Sequence, residues 1–270
     1  MRETTMEGAG RFAGDHMVVT GAGTGIGRAI ALRLWSEGAK LTLLGRNTAT
    51  LEECASACEE LRQGGGGELG WGACDIRERQ VIDDRLEDAC EKRGPLRALI
   101  ANAGVGGPNM DGPQDRFEEL VAINLTGTYN SFRAAEQHLA ERGTGARHLL
   151  AISSILGRIG VPAYSGYCAS KTGVLGLVRA LAAELAAEEI QVNAICPGWV
   201  DTQMARDGIE GMAKGMGISF DEALAMAMKD VPLGRMSEPE DVAGMVAWLV
   251  SKDARGVTGQ SLDINGGAHM

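Results

Sequence analysis

The chain has no CxxC pair and no HExxH run, so zinc-finger, dithiol-redox and metallohydrolase chemistry find no support in it. Its six cysteines (Cys54, Cys58, Cys74, Cys90, Cys168 and Cys196) are scattered; Cys54 and Cys58 stand one helical turn apart, with no histidine nearby to complete a metal site. They read as reduced, mostly buried thiols. The four histidines, His16, His138, His148 and His269, are equally dispersed. Positive charge is short too: 26 Lys and Arg face 36 Asp and Glu, a formal charge of −10, the opposite of a nucleic-acid or anionic-membrane footprint. No uncharged apolar run reaches the ~18 residues of a membrane span, because Arg179 and Glu184 interrupt even the stretch 173–187. The opening residues, Met1 to Arg11, contain no hydrophobic secretory core. These absences predict a soluble, cytoplasmic protein without metal, nucleic-acid or membrane partners.

What is present suits one large α/β domain: 270 residues, of which 44% are hydrophobic and 23% charged, values that disfavour disorder, collagen and coiled coil. Glycine is in surplus, 39 residues against a usual ~7% of a chain. Short apolar runs alternate with segments of helical period, the signature of repeated βαβ units and a parallel sheet. Strands are expected at His16–Thr20, Leu41–Leu44, Leu69–Cys74, Ala98–Ala101, His148–Ser153, Gln191–Ile195 and Ser261–Ile264, and helices near 25–37, 48–63, 77–93, 115–142, 166–188 and 239–251. Residues 1–14 read as a flexible N-terminus and Gly64 to Gly67 as a slack loop. Residues 202–233, with the Gly, Met, Ala and Lys run at 211–217, read either as a mobile lid whose thioethers adapt to an apolar substrate or as simple loop packing.

Two segments carry chemistry. Met17-Val-Val-Thr-Gly runs from an apolar strand into glycines at 21, 23, 25 and 27 and then a helix. Glycines there allow a tight turn, let backbone approach a diphosphate, and set the anion at the positive end of the helix. The spacing is TGxxxGxG (Thr20, Gly21, Gly25, Gly27) rather than GxGxxG, and a bare strand turn is the plain alternative. In Tyr167-Cys-Ala-Ser-Lys171 a tyrosine and a lysine share one helix face at i, i+4. A phenol of pKa ~10 is a poor acid or base at neutral pH, and a neighbouring ammonium favours its phenolate, so the pair can serve as general acid or base; a tyrosine packed on a lysine stem is the bland alternative. Thirteen positions earlier, at a strand end, stands the hydroxyl of Ser154.

With Asp75, Asn102-Ala-Gly, Asn124, Pro197-Gly198 and Asn265-Gly-Gly following in order, the chain resembles the short-chain dehydrogenase/reductase family from about residue 15 to 267. The resemblance implies a single-domain Rossmann fold, a doubly wound seven-stranded parallel sheet with helices on both faces, residues 15–270 forming that domain. It implies catalysis by Asn124, Ser154, Tyr167 and Lys171: Tyr167 moves the proton, Ser154 holds the reacting oxygen, Lys171 lowers the tyrosine pKa and holds the nicotinamide ribose, and Asn124 retains a relay water. It further implies cofactor contacts from Gly21, Thr24, Gly25, Ile26 and Gly27, adenine contacts from Asp75 and Ile76, a floor of Asn102, Ala103 and Gly104, and nicotinamide-end contacts from Pro197, Gly198, Val200 and Thr202. Ala101 departs from the family's usual asparagine. The second strand ends Leu43-Leu-Gly-Arg46-Asn with no acid to bond a ribose 2′-hydroxyl; Arg46 favours the 2′-phosphate of NADP, while Thr24 stands where NADP-dependent relatives often carry a second base, and NAD remains the alternative.

Similarity around Cys196-Pro-Gly-Trp-Val-Asp-Thr and Val231-Pro-Leu-Gly-Arg points to the 3-oxoacyl carrier-protein reductase and polyketide ketoreductase branch, acting on a small carbonyl or alcohol substrate. The alternatives are an NAD-dependent dehydrogenase of a cyclic, steroid or dihydrodiol alcohol, an epimerase or dehydratase, and a non-catalytic nucleotide sensor. Apolar residues on more than one face of the helices near 115–142 and 166–188 (Val121, Leu125, Phe132, Leu139; Val174, Leu177, Val178, Leu181, Leu185) exceed what one sheet face needs. Relatives pair these helices between subunits, which implies a homotetramer.

Overall fold

The computed structural model describes residues 10–61, 67–110 and 112–270. Seven strands, β1 (His16–Thr20), β2 (Lys40–Gly45), β3 (Leu69–Ala73), β4 (Leu96–Ala101), β5 (Arg147–Ile152), β6 (Ile190–Pro197) and β7 (Ser261–Ile264), form one parallel sheet in the order β3-β2-β1-β4-β5-β6-β7. The chain winds outward from β1 to one edge and then returns to the other side of β1. Connections therefore diverge between β1 and β4, which opens a crevice at the carboxyl ends of those strands.

The helices are α1 (Gly25–Ser36), α2 (Thr48–Glu60), α3 (Arg79–Arg93), α4 (Phe117–Val121), α5 (Gly127–Glu136), α6 (Ser165–Leu185), α7 (Gln203–Met216), α8 (Phe220–Met228) and α9 (Pro239–Leu249). A parallel sheet must be covered on both faces, and two clusters do so. Ile30 and Leu34 of α1, Leu51 and Cys54 of α2, and Val242 and Val246 of α9 pack on Met17, Val19, Leu41 and Leu43. On the other face Ile82 and Leu86 of α3, Phe132 of α5, and Val174, Val178 and Leu181 of α6 pack on Val18, Leu99, Leu149 and Val192. A fully buried Leu or Ile contributes ~1.5–3 kcal/mol, so these seams hold the helices more firmly than propensity does. All six cysteines are free and four are buried.

All seven expected strands form, within two residues of their expected ends. The helix expected over 115–142 does not run through: α4 passes into a π turn at Ala122–Thr126, α5 ends at Glu136, and the chain then leaves the helix so that Leu139 bridges Leu96 beside β4. Backbone pairing there, His138 O accepting from Leu96 N at 2.9 Å and Ala140 N donating to Leu96 O at 2.8 Å, outweighs continuation of the helical bonds. Within 202–233 two helices form where periodicity had suggested a loop. Thr202 caps α7 through Ala205 N, Gly217 ends it at φ +68°, and Ser219 with Glu222 makes a reciprocal capping box for α8. Ile209, Ala213 and Ala223 form a separate small core with Trp199, Met212, Phe220 and Leu224.

Residues 10–14, expected to fray, are held down: Phe12 is 2% exposed and its N–H donates to Glu37 O at 2.9 Å. The rest of that stretch, 1–9, and Gly64 to Gly66 of the expected slack loop lie outside the described residues. Gly67 is not slack, since a Cβ there would stand 2.4 Å from Ala39 O. Of the helix residues expected to spare a face for partners, Phe132, Val174, Val178, Leu181 and Leu185 are buried inside this chain, and the large apolar groups left exposed on α4 and α5 are Phe117 and Tyr129. Among the described residues no helix is long and apolar enough to cross a membrane.

Candidate active site

The crevice at the ends of β1 and β4 is built by loops that touch. Gly21 and Gly25 take φ of +64° and +51°, a region that side chains with a Cβ rarely enter. A Cβ on Gly21 would lie 2.8 Å from Ala103 Cα, and one on Gly25 would lie 3.1 Å from Thr202 Cγ2. Asn102 locks the first approach: its side-chain amide donates to Thr20 O at 3.0 Å and Gly21 O at 3.1 Å, while its own N–H and that of Ala103 donate to Thr20 Oγ1. Ala101 leaves this clamp intact. From the far side Gly198 abuts Asn265, and Gly198 N donates to Ile264 O at 3.0 Å. After Pro197, the last residue of β6, the chain runs through Gly198 and Val200 to Thr202, whose side chain borders Gly25 at the start of α1.

Four polar residues meet one loop further along. Ser154 follows β5 and is 8% exposed; its Oγ accepts from Leu156 N at 3.1 Å. Tyr167 and Lys171 occupy consecutive turns of α6, with Lys171 Nζ 5.7 Å from the Tyr167 ring centroid. Burial raises the Tyr167 phenol above its ordinary pKa, and a hydrogen bond from Ser154 pulls against that rise. The lysine is itself only 6% exposed, burial pushes its pKa down to about 8, and its ammonium is engaged with Ile152 O at 3.0 Å. Asn124 lies in the π turn and is 1% exposed. Its Oδ1 accepts from Val105 N and its Nδ2 donates to Val105 O, both at 2.9 Å, and Gly104 passes so close that a Cβ there would be 3.0 Å from Asn124 Oδ1 and 3.5 Å from Lys171 Nζ.

At the outer end of the crevice Arg46 is exposed where β2 ends. Beside it the Asp75 carboxylate accepts from Arg77 Nη2 at 2.6 Å and from Arg77 N at 3.0 Å, and these bonds, aided by the charge of Arg46, hold its pKa below the usual carboxylate range. Ile76 is buried, and its side chain stands against Gly127.

Three contributors escaped the sequence reading. Asn109 Oδ1 accepts from Gly166 N at 2.8 Å and so caps the first turn of α6, its N–H donates to Ala163 O, and Ala163 sits at φ +66°. Ser170 joins Asn124 to α6. Met204 of α7 and the edge of the Tyr167 ring both border Gly106. None belongs to a spacing pattern that chemistry dictates; an asparagine two residues after glycines was the faintest available signal.

The crevice fits a dinucleotide on two observations. The first turn of α1 has no side-chain cap, which leaves its N–H groups for an anion. Lys171, buried as it is, has one acceptor among the described residues for its three donors. A doubly wound sheet with this loop and a Ser, Tyr and Lys at its edge defines a nucleotide-dependent oxidoreductase of the single-domain class.

Comparison with known proteins agrees. A family model described as enoyl-(acyl carrier protein) reductase matches residues 21–269. A putative ketoacyl reductase of Streptomyces coelicolor is 38% identical over 257 residues, covering 93% of this chain and 95% of that one. A short-chain dehydrogenase/reductase of Armillaria gallica is 35% identical over 260 residues, with 94% and 95% coverage. The crystal structure of a variant actinorhodin polyketide ketoreductase with NADPH superposes with TM-score 0.87 at 34% identity, covering 94% of this chain and 97% of that one. The chain belongs to the short-chain dehydrogenase/reductase family and is an oxidoreductase similar to ketoacyl reductases.

Proposed function

We propose that the chain is an NADP(H)-dependent carbonyl reductase that interconverts a ketone and a secondary alcohol. The observation that carries this reading is the convergence of Lys171 Nζ, 5.7 Å from the Tyr167 ring centroid on α6, with Ser154 at the end of β5, near enough to pull on the phenol. The bound nicotinamide supplies or accepts the hydride. The chain's own groups position and protonate. Tyr167 Oη gives its proton to the carbonyl oxygen during reduction and takes the hydroxyl proton during oxidation. Ser154 Oγ donates a hydrogen bond to that oxygen. Lys171 turns its spare donors to the nicotinamide ribose, and Asn124 keeps a water in the proton path.

Gly21, Thr24, Gly25, Ile26 and Gly27 hold the diphosphate, Asp75 and Ile76 border the adenine, and Asn102, Ala103 and Gly104 form the floor. Pro197, Gly198, Val200 and Thr202 border the nicotinamide end. Arg46, exposed after β2, whose end carries no acid in the sequence, meets the 2′-phosphate. The helices of 202–233 cover the substrate, Met204 facing the Tyr167 side. Exposed Phe117 and Tyr129 favour assembly through α4 and α5 into a homotetramer, which light scattering of a monomer would refute.

The test is nicotinamide absorbance with β-ketoesters, diketones and secondary alcohols under both cofactors. Tyr167→Phe is expected to lower turnover by ~10²–10⁴-fold. Retained activity in that variant sinks the assignment; no turnover by the native chain supports the nucleotide sensor instead, and tighter binding of NADH than NADPH sinks the cofactor choice.

A further inference from the structure

Asn124 sits in a five-residue π turn, Ala122–Thr126, between two α-helical stretches. Such a turn gives up regular i→i−4 bonding, is rare, and needs something outside the helix to keep it in place. Two contacts from α6 do so. Leu125 rests over Gly173, where a Cβ would lie 2.7 Å from Leu125 Cδ2. One turn earlier, Ser170 Oγ accepts from Asn124 Nδ2 at 3.2 Å and donates to Tyr167 O at 2.8 Å. Ser170 is 0% exposed, so no water can take over either bond. A buried hydroxyl that bonded only its own helix would be satisfied by the backbone alone; this one also reaches across to a second element.

We propose that Ser170 is a positioning residue: its hydroxyl sets the register of the Asn124 turn against the face of α6 that carries Tyr167 and Lys171. The Asn124 side chain has its other bonds on Val105 N and O. Ser170 is therefore the side chain that ties the loop after β4, the π turn and the Tyr167 helix into one unit. Its loss leaves Asn124 tethered to the loop and Leu125 still packed on Gly173, but removes the hydrogen bond that aligns the Asn124 amide with the Tyr167 turn of α6, with the fold retained. The inference rests on the proposed reduction with Tyr167 as proton donor.

The experiment is a double-mutant cycle of Ser170→Ala and Asn124→Ala, read as ketone reduction per folded molecule, with NADPH affinity by fluorescence and Tm recorded for each variant. Ser170→Ala is expected to lower kcat about five- to tenfold with NADPH affinity within about twofold. In the Asn124→Ala background the same substitution is expected to cost less than about twofold. Ser170→Thr, which keeps the hydroxyl, is expected to recover most of the rate. The proposal is overturned if Ser170→Ala leaves kcat unchanged, if its cost is the same in both backgrounds, or if weaker NADPH binding accounts for the loss. Retained activity in Tyr167→Phe overturns the proposed chemistry, whereas loss in Tyr167→Phe with a silent Ser170→Ala overturns the positioning role alone.

Discussion

Gly27→Ala tests the turn on which the cofactor reading depends. A Cβ at Gly27 would stand 2.1 Å from Gly21 O and 2.5 Å from Asn102 Nδ2. One of those is backbone, and the other already donates to Thr20 O at 3.0 Å and Gly21 O at 3.1 Å, so no flexible side chain can move aside. Either the first turn of α1 withdraws from the loop or Asn102 gives up its bonds. Two hydrogen bonds at about 1 kcal/mol each and overpacking of about 1–3 kcal/mol, set against about 1 kcal/mol gained by Ala over Gly in a helix, leave a net loss of roughly 2–4 kcal/mol. At ~2–4 °C per kcal/mol for a chain of this size, Tm falls by about 5–15 °C. NADPH affinity, measured by fluorescence titration, falls at least about tenfold because the loop can no longer close on the diphosphate. Gly211→Ala is the control. It lies in α7 with nothing within 4 Å of the added methyl, and the same exchange there gains ~0.5–1 kcal/mol. If G27A unfolds within about 2 °C of the native chain and binds NADPH normally, the close approach is wrong.

Acid stability follows from two buried imidazoles. Burial depresses both His16 and His148 to about 4, below the ordinary 6.5 that applies when the chain is unfolded. The unfolded chain therefore binds more protons between those values, and stability is full above pH ~6.5 and lost as pH falls toward ~4, by about 3 kcal/mol per histidine. Urea unfolding at several pH values checks this, and a flat profile from pH 7 to 4.5 would contradict it. Lys171, depressed to about 8, makes kcat/KM for ketone reduction fall above about pH 8 as its charge is lost; a profile level to pH 10 would argue that the lysine stays charged. Arg46→Ala is expected to weaken NADPH about 10–100-fold while leaving NADH nearly unchanged, and equal losses for the two would remove Arg46 from the 2′-phosphate.

The sheet was legible because its physics is local and repetitive. A strand buried on both faces must be a short apolar run, and Met17-Val-Val or Leu99-Ile-Ala reads that way without knowledge of neighbours. Tyr167, Lys171, Ser154 and the Gly21 to Gly27 turn were legible for a different reason: their chemistry demands a residue type at a set spacing. The helices within 202–233 were not legible, because Ile209, Ala213 and Ala223 acquire an apolar face only by packing on one another and Trp199. Nor was the break at Asn124, since a π turn breaks the period that signals a helix and is held by Ser170 and Val105 from elsewhere in the chain.

The direction of a pKa was likewise out of reach. Spacing placed an ammonium beside Tyr167, but burial, which spacing does not show, pushes the tyrosine up and the lysine down. Sequence alone determined the architecture and the family resemblance, and it singled out the residues proposed for the reaction, all of which depend on residue identity and interval along the chain. Tertiary structure decided which loops touch, what caps α6, what holds Asn124 and which way the protons are biased, because desolvation and hydrogen bonding depend on groups that only folding brings together.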